Sequence, residues 1–437
     1  VGVVGGGPAG SFFSLFLLRI AARMGLHLNV HIYEPRDFGT TGPKGCNMCG
    51  GIISESLVQN LAAEGILLPP TVVQRSLDSY QLHTDVGDVH IRTPKGERRI
   101  AAVHRGCGPR GMQEVTTRSF DAFLLEQALN EGARHFRSRV MAIGRRSGQV
   151  YVQTGDLQSH CYDLVAVATG INFPAVKFLD GVSADYSPPK NTKTYISEPC
   201  YLGRDEVKRY LGSSMHVFLL HLPRLEFAAI IPKGAYATIC MLGENIDKSL
   251  VNSFLTAPEV RPCFPPQWQP SVDDCHCSPR ISTRSAQKAY ADQIVFVGDC
   301  GSTRLYKDGI GAAYRTAKAA ASTALLHGIG AEHFKRHYQP VCDAITRDNN
   351  IGRLVFAATR VIQRNRFLRR GLLRIVGTEQ KRGGGRMSRV LWNTFTGSAP
   401  YRAIFRDALH PAFLASFVWN IFAANTPTQT DIRAGRH

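Results

Sequence analysis

The sequence lacks an uninterrupted apolar run approaching the roughly 20 residues that a membrane-spanning helix needs. It also lacks an internal repeat and any recognised nucleic-acid-binding motif. Neither an initiator methionine nor a signal peptide precedes Val1, which leaves room for a short upstream segment. Acidic side chains are scarce: 34 Asp and Glu stand against 52 Lys and Arg, for a net charge of +18. The cysteines number 11, an odd count scattered through a long chain. That argues against a secreted disulfide scaffold and for mostly reduced thiols in a cytoplasmic setting. Cys275 and Cys277, in "DDCHCSP", stand too close for an ordinary disulfide or zinc knuckle and read as reduced thiols.

What is present fits a folded protein of two or three lobes. The length of 437 residues exceeds one small core, and 44% hydrophobic with 20% charged residues is ordinary for a globular chain. "VGVVGGGPAG" reads as strand, tight turn and helix start, "SFFSLFLLRIAARMG" as an apolar helix, and "LNVHIYEP" as a second strand. "VHIRTPKGERRIAAVHRG" reads as a hairpin, and "RSFDAFLLEQALNEGA" as an amphipathic helix stopped at Gly132. From about Ser213 to Glu244 the pattern is all strand, which predicts an antiparallel sheet. "QIVFVGDCG" then returns to a buried strand, followed by the alanine-rich helix "GAAYRTAKAAASTALLHG". The expected class is therefore α/β. A Rossmann-type domain, discontinuous in sequence, takes 1–75, 105–180 and 285–330. An inserted antiparallel-sheet domain takes 76–104 and 181–284, and a helical basic region takes 331–437.

Gly5, Gly7 and Gly10 spell GxGxxG directly after a strand and before a helix. Such a turn bends sharply, lets the backbone approach a pyrophosphate, and aims a helix N-terminus at its charge. Pro8 and Ala9 complete the turn. Glu34 ends the next strand 24 residues after Gly10, where a carboxylate accepts hydrogen bonds from a ribose hydroxyl. No second strand–GxGxxG–helix unit follows, so a separate NAD-binding domain is not expected.

Two later segments, "VFVGDCG" and "DGIGAAYRTAKAAA", carry a resemblance. With "YDLVAVATG", they resemble the FAD-dependent oxidoreductases of the glutathione-reductase and hydroxybenzoate-hydroxylase superfamily. The resemblance implies FAD. It also implies that Gly298 and Asp299 meet the ribityl chain, that Gly309, Ile310 and Gly311 point a helix N-terminus at the flavin, and that Arg118 in "TTRSFDAFLLEQA" lies near the ribityl–phosphate region.

"GCNMCGG" places Cys46 and Cys49 at a spacing shared by metal sites and redox disulfides. Its second half, Cys49-Gly50-Gly51, is similar to a cysteine–glycine–glycine segment of the geranylgeranyl reductase family, flavoproteins that hydrogenate isoprenoid double bonds. The resemblance spans about residues 1–330. It implies that Gly50 and Gly51 leave room for the flavin ring and that Cys49 neighbours it. Cys49 is then the candidate catalytic proton donor. Tyr306, Lys307 and Asp308 are alternatives that read first as a solvated loop, and Cys46 stays unexplained as half of a redox pair. No metal site is expected, because no second ligand pair stands out. The family's substrate-lining strand corresponds to "FAAIIPKG", with Phe227, Ala229 and Ile231 toward the substrate. This chain departs from the family at Ala229 and Ile231, where tryptophan and phenylalanine are usual. It also lacks the usual proline in "STRLYKDG".

The last fifth of the chain is basic. Residues 351–437 hold 15 Lys and Arg against 3 Asp and Glu, a surplus of +12. "IGRLVFAATRVIQRNRFLRRGLLRIVG" interleaves arginines with apolar residues, and Arg353, Arg360, Arg364 and Arg374 can share a helical face. "HPAFLASFVWNIFAA" is apolar but too short to span a bilayer. This pairing points to an anionic membrane surface, with nucleic acid not expected. The sequence-based expectation is an FAD-dependent reductase of an isoprenoid chain on a lipid, quinone or diphosphate, reduced by NAD(P)H or a ferredoxin-like donor and bound peripherally to a membrane. An aromatic monooxygenase, or an electron-transfer flavoprotein acting on a quinone, remains an alternative. Oligomeric state is left open.

Overall fold

The computed structural model describes residues 1–425 apart from 43, 47–48, 95–98, 111, 113–117, 173–178, 180–184 and 269–275. Cys275 thus lies outside the described residues, and Cys277 is a half-buried thiol.

Short strands, the central ones rich in Val, form a six-stranded sheet in the order Tyr290–Ala291, Ile294–Phe296, Val165–Val167, Gly2–Val4, His31–Tyr33, Arg134–Phe136. All its pairs are parallel except the edge pair at Tyr290–Ala291. Parallel strands need crossovers, and their residues are buried on both faces. Helices Pro8–Arg23, Phe120–Asn130 and Gly309–Leu326 pack together beside it. On the opposite side Tyr162, from a three-stranded meander, meets Tyr33 and His31. The chain is therefore α/β with a parallel sheet and a helical C-terminal region.

A second, seven-stranded sheet runs in the order His276–Cys277, Tyr195–Tyr201, Tyr236–Gly243, Leu225–Lys233, Ser214–Phe218, Ser79–Thr84, Gly87–Arg92. It is mixed rather than wholly antiparallel, because Ser214–Phe218 pairs parallel with Ser79–Thr84. The expected hairpin is also corrected. Gly87–Arg92 pairs with Ser79–Thr84, whereas Ile100–Val103 joins Ile52–Ile53 and Val73–Leu77 in a separate three-stranded sheet. Ile100–Val103 is buried throughout, so it cannot serve as the outer half of a solvated ribbon.

The C-terminal helices lie on one face of the seven-stranded sheet. Trp392 stacks on Tyr80, and Phe356 and Phe395 meet Phe227. Among the described residues, no helix is long and apolar enough to cross a membrane.

Candidate functional site

A cleft of about 480 Å³ runs from the glycine turn to the wall of the seven-stranded sheet. At one end, Gly5, Gly7, Pro8 and Ala9 present the N-terminus of helix Pro8–Arg23. Glu34 is only 3% exposed. Its carboxylate accepts hydrogen bonds from the Gly6 N–H (3.1 Å) and from the Arg36 backbone N–H (3.0 Å) and Nε (3.1 Å). Gly10 lies one layer behind, where it lets the helix approach the turn. Gly298 and Gly311 are also off the lining: Gly298 packs on Ala9, and Gly311 is buried within helix Gly309–Leu326.

Asp299, Gly309 and Ile310 line the middle of the cleft. Burial pushes the Asp299 carboxyl above its usual range, against the Thr303 hydroxyl and the Arg105 guanidinium, which lower it. Arg105 also lines this region, bonded to the fully buried Asp121 (Nη2 to Oδ2, 2.9 Å). Burial works against its charge, but Asp121 together with Cys49 and Cys46 outweighs it and raises the pKa. The structure places Arg118 elsewhere. Its side chain is 41% exposed, pairs with Glu126 and sits over the Phe123 ring outside the cleft. Arg105 faces the middle of the cleft, together with Arg36, Arg139, Arg280 and Arg304 elsewhere on its lining, whereas Arg118 does not line it. Nothing in the residues around Arg105 flags it, since its partner is contributed by the helix Phe120–Asn130.

At the far end, period-two alternation along Leu225–Lys233 puts Phe227, Ala229 and Ile231 on the cleft face. Ile196, Met215, Cys240 and Leu242 extend this wall, and Phe395 arrives from the C-terminal helices. Cys49, Gly50 and Gly51 face it. The glycines there have a different reason from the one expected. Gly51 has φ +69°, and a Cβ on it would lie 2.0 Å from the Val103 carbonyl oxygen; Gly50 has its space taken by Cys240 Sγ. Both make room for the chain itself. Cys49 Sγ accepts from the Gly51 N–H at 3.5 Å, while Cys46 is off the lining.

The segment Tyr306–Asp308 is not a solvated loop. All three residues line the cleft. Asp308 has a 4% exposed side chain, held by Ser54 (3.3 Å) and by Arg304 (3.5 Å) and Arg315 (3.4 Å). Lys307 Nζ lies 4.4 Å from the Phe227 ring centroid. Burial pulls its ammonium pKa down to about 8, opposed by the Cys240 and Cys49 thiols. Burial also raises the Tyr306 phenol to about 12.

These residues fit a flavin dinucleotide. The turn backbone and the Glu34 carboxylate suit a pyrophosphate and a ribose. The buried hydroxyl of Thr169 lines the cleft with no hydrogen-bond partner among the described residues, as a ligand-binding hydroxyl would. The N-terminus of Gly309–Leu326 opens where the polar half of the cleft gives way to the apolar half.

No family model and no curated protein matches the sequence. Solved structures do match in shape. A geranylgeranyl bacteriochlorophyll reductase-like protein from Thermoplasma acidophilum is similar at 13% identity and TM-score 0.61, over 99% of this chain and 97% of that one. A flavoprotein/dehydrogenase from Cytophaga hutchinsonii is similar at 14% identity and TM-score 0.59, over 100% and 99%. A triple mutant of the flavin-dependent brominase Bmp2 is similar at 12% identity and TM-score 0.57, over 99% and 96%. At these identities the likeness is one of fold.

Proposed function

We propose that this chain is an FAD-dependent oxidoreductase that saturates carbon–carbon double bonds of an isoprenoid chain presented at a membrane surface. The observation that carries the reading is the composition of the cleft. A dinucleotide-type polar half runs without a break into a wall of Met215, Phe227, Ala229, Ile231 and Leu242, with the Lys307 ammonium against that wall. Apolar walls suit a polyprenyl chain better than a phenol or a sugar. The reductase-like neighbour from Thermoplasma acidophilum supports the same choice.

Bound FAD, once reduced, would supply a hydride. The chain's own residues then have three tasks. Ala229 and Ile231 leave space for the substrate and exclude water. Phe227, wedged between Phe356 and Phe395, holds one side of the slot. Lys307 delivers the proton that completes addition across the double bond, since an ammonium poised near neutral pH is a competent general acid. Cys49 remains beside it as a second donor. The test is anaerobic: the reduced holoenzyme should be reoxidised faster when a geranylgeranyl lipid is added. A hydroxylase or halogenase would instead need oxygen, so an unchanged anaerobic rate sinks the proposal.

Ala229→Trp probes the slot. An indole here projects into the cleft, and overpacking of this kind costs about 1–3 kcal/mol. The variant should keep its bound flavin and lose about tenfold or more in kcat/KM for a long polyprenyl chain. Equal loss on the shortest isoprenoid accepted would show that the slot is not a measure of chain length.

The membrane part of the reading rests on helix Pro411–Asn425. It carries no charged side chain, and Trp419 (73%) and Phe422 (68%) are among its exposed residues. At about 1.5 Å per residue it reaches about 22 Å, short of a hydrocarbon core of about 30 Å. It packs on helix Arg366–Lys381, where Phe367, Arg366 and Arg370 are exposed. Much of the arginine surplus is spent inside the protein, however. Arg360 pairs with Glu226, Arg353 donates to the Thr283 carbonyl (3.2 Å), Arg374 to the Ala423 carbonyl (2.6 Å), and buried Arg369 binds Asp85 (2.8 Å). Of the four arginines expected on one cationic face, only Arg364 is exposed with no bond to another element among the described residues. Apolar insertion therefore dominates. Trp419→Glu combined with Phe422→Glu should abolish sedimentation with anionic vesicles while leaving the flavin bound, and undiminished sedimentation would contradict it.

A further inference from the structure

We propose that His83, His216 and Cys263 form a binding site for one zinc-class divalent cation, on the face of the seven-stranded sheet turned away from the cleft. The one-sided placement follows from strand register. Phe218 pairs with His83 in the parallel ladder, so His216, two residues earlier, projects on the same side as His83. The intervening Val217 and the cleft-lining Met215 project on the other. Cys263 closes the cluster from the turn Arg261–Cys263.

The three donor atoms lie within 4.8 Å of one another, and this is the one such cluster among the described residues. His83 Nε2 is 2.9 Å from His216 Nδ1, and Cys263 Sγ is 3.3 Å from the same atom. Zinc–nitrogen bonds of about 2.0–2.1 Å and zinc–sulfur bonds of about 2.3 Å give tetrahedral edges of roughly 3.3–3.5 Å. The two edges that meet at His216 Nδ1 are therefore slightly short, and small side-chain rotations of roughly half an ångström would bring them to that size. Its orientation is already set. His216 Nε2 faces the Leu211 carbonyl at 3.3 Å, so that nitrogen donates and the Nδ1 lone pair points into the cluster. Such outer bonds fix the tautomer of metal-binding histidines. His83 is stacked on Phe218 with centroids 4.6 Å apart.

His216 and Cys263 are buried beside the core of Phe218, Phe254 and Phe264. Burial holds both imidazoles near a pKa of about 4, hence neutral and able to ligate. Burial likewise raises the thiol to about 12, so a cation must displace its proton to solvent as the metal–sulfur bond forms. Asp88 sits opposite His83 in the antiparallel ladder and adds negative charge near Cys263. That leaves a fourth position for water. Two imidazoles and a thiolate suit zinc better than magnesium or calcium. The cation would pin the turn Arg261–Cys263 to two strands, and it has no part in the redox reading of the cleft.

The test uses the full chain with its flavin, freed of metal by a chelator and then titrated with cobalt(II). About one equivalent should bind with a thiolate-to-cobalt charge-transfer band, release about one proton and raise the Tm, and zinc should displace it. Cys263→Ser should remove the band. His83→Gln, at a half-exposed position, should weaken binding at least tenfold without unfolding the protein. No charge-transfer band on titration, or a band that survives both substitutions, would overturn the proposal.

Discussion

Lys307→Met should lower kcat for alkene reduction by about 10²- to 10⁴-fold, the range expected when a positioned general acid is removed. Lys307 precedes the helix Gly309–Leu326, lines the cleft, and has its ammonium 4.4 Å from the Phe227 ring centroid. Burial lowers its pKa to about 8. The charged form is the donor, so it is present below that pH and lost above it. Turnover by the native chain should be level below pH 8 and fall about tenfold per unit above it, as loss of one proton requires. In the Met variant the residual rate should show no such fall. Lys307→Arg should not restore the rate, because a guanidinium does not release its proton. The measurement is kcat against pH under anaerobic conditions, with flavin content checked for each variant. A Met variant that retains both the rate and the pH profile would pass the role to Cys49.

Gly10→Ala should weaken FAD binding by about 100-fold, or about 2.7 kcal/mol. A Cβ at Gly10 would lie 1.9 Å from the Gly5 carbonyl oxygen, which is backbone and cannot swing aside. The helix Pro8–Arg23 must then retreat from the turn. Its N-terminal N–H groups would lose their aim at the pyrophosphate position. Gly5 has φ +108°, so the turn has little freedom to absorb the shift. Flavin absorbance per chain after gel filtration, with a fluorescence titration of FAD into the apoprotein, reads the effect. Full flavin occupancy in the variant would mean that the dinucleotide does not bind at this turn.

The dinucleotide half of the cleft was legible because its signals are local. Gly5, Gly7 and Gly10 sit in one turn, and Glu34 ends the very next strand. The parallel sheet followed from short apolar strands separated by helices. The apolar wall was half legible: the family resemblance pointed to Phe227, Ala229 and Ile231, whereas Cys240, Met215 and Phe395 arrive from strands and a helix that only tertiary packing brings together. Arg105 was missed for the same reason, and Arg118 misplaced, since a buried arginine is defined by a partner rather than by its neighbours in sequence. Tyr306–Asp308 looked solvated because it is polar and lies between a strand and a helix. Its burial comes from the C-terminal helices, whose Gly397 packs against Lys307 and Asp308. The hairpin reading failed because alternating sequences on either side of a turn do not say which sheet each strand will join. The His83, His216 and Cys263 cluster has no sequence signature, since its members stand 133 and 47 residues apart.

The central claim is that this cleft adds hydrogen across an isoprenoid double bond. The most direct measurement is a single turnover without oxygen, in which reduced, flavin-loaded protein meets a geranylgeranyl lipid in vesicles and the lipid is then weighed by mass spectrometry. The account predicts a gain of two hydrogens for each flavin oxidised, and none with Lys307→Met on the same timescale. A lipid of unchanged mass beside an oxidised flavin, or a product that has gained oxygen once air is admitted, would contradict it.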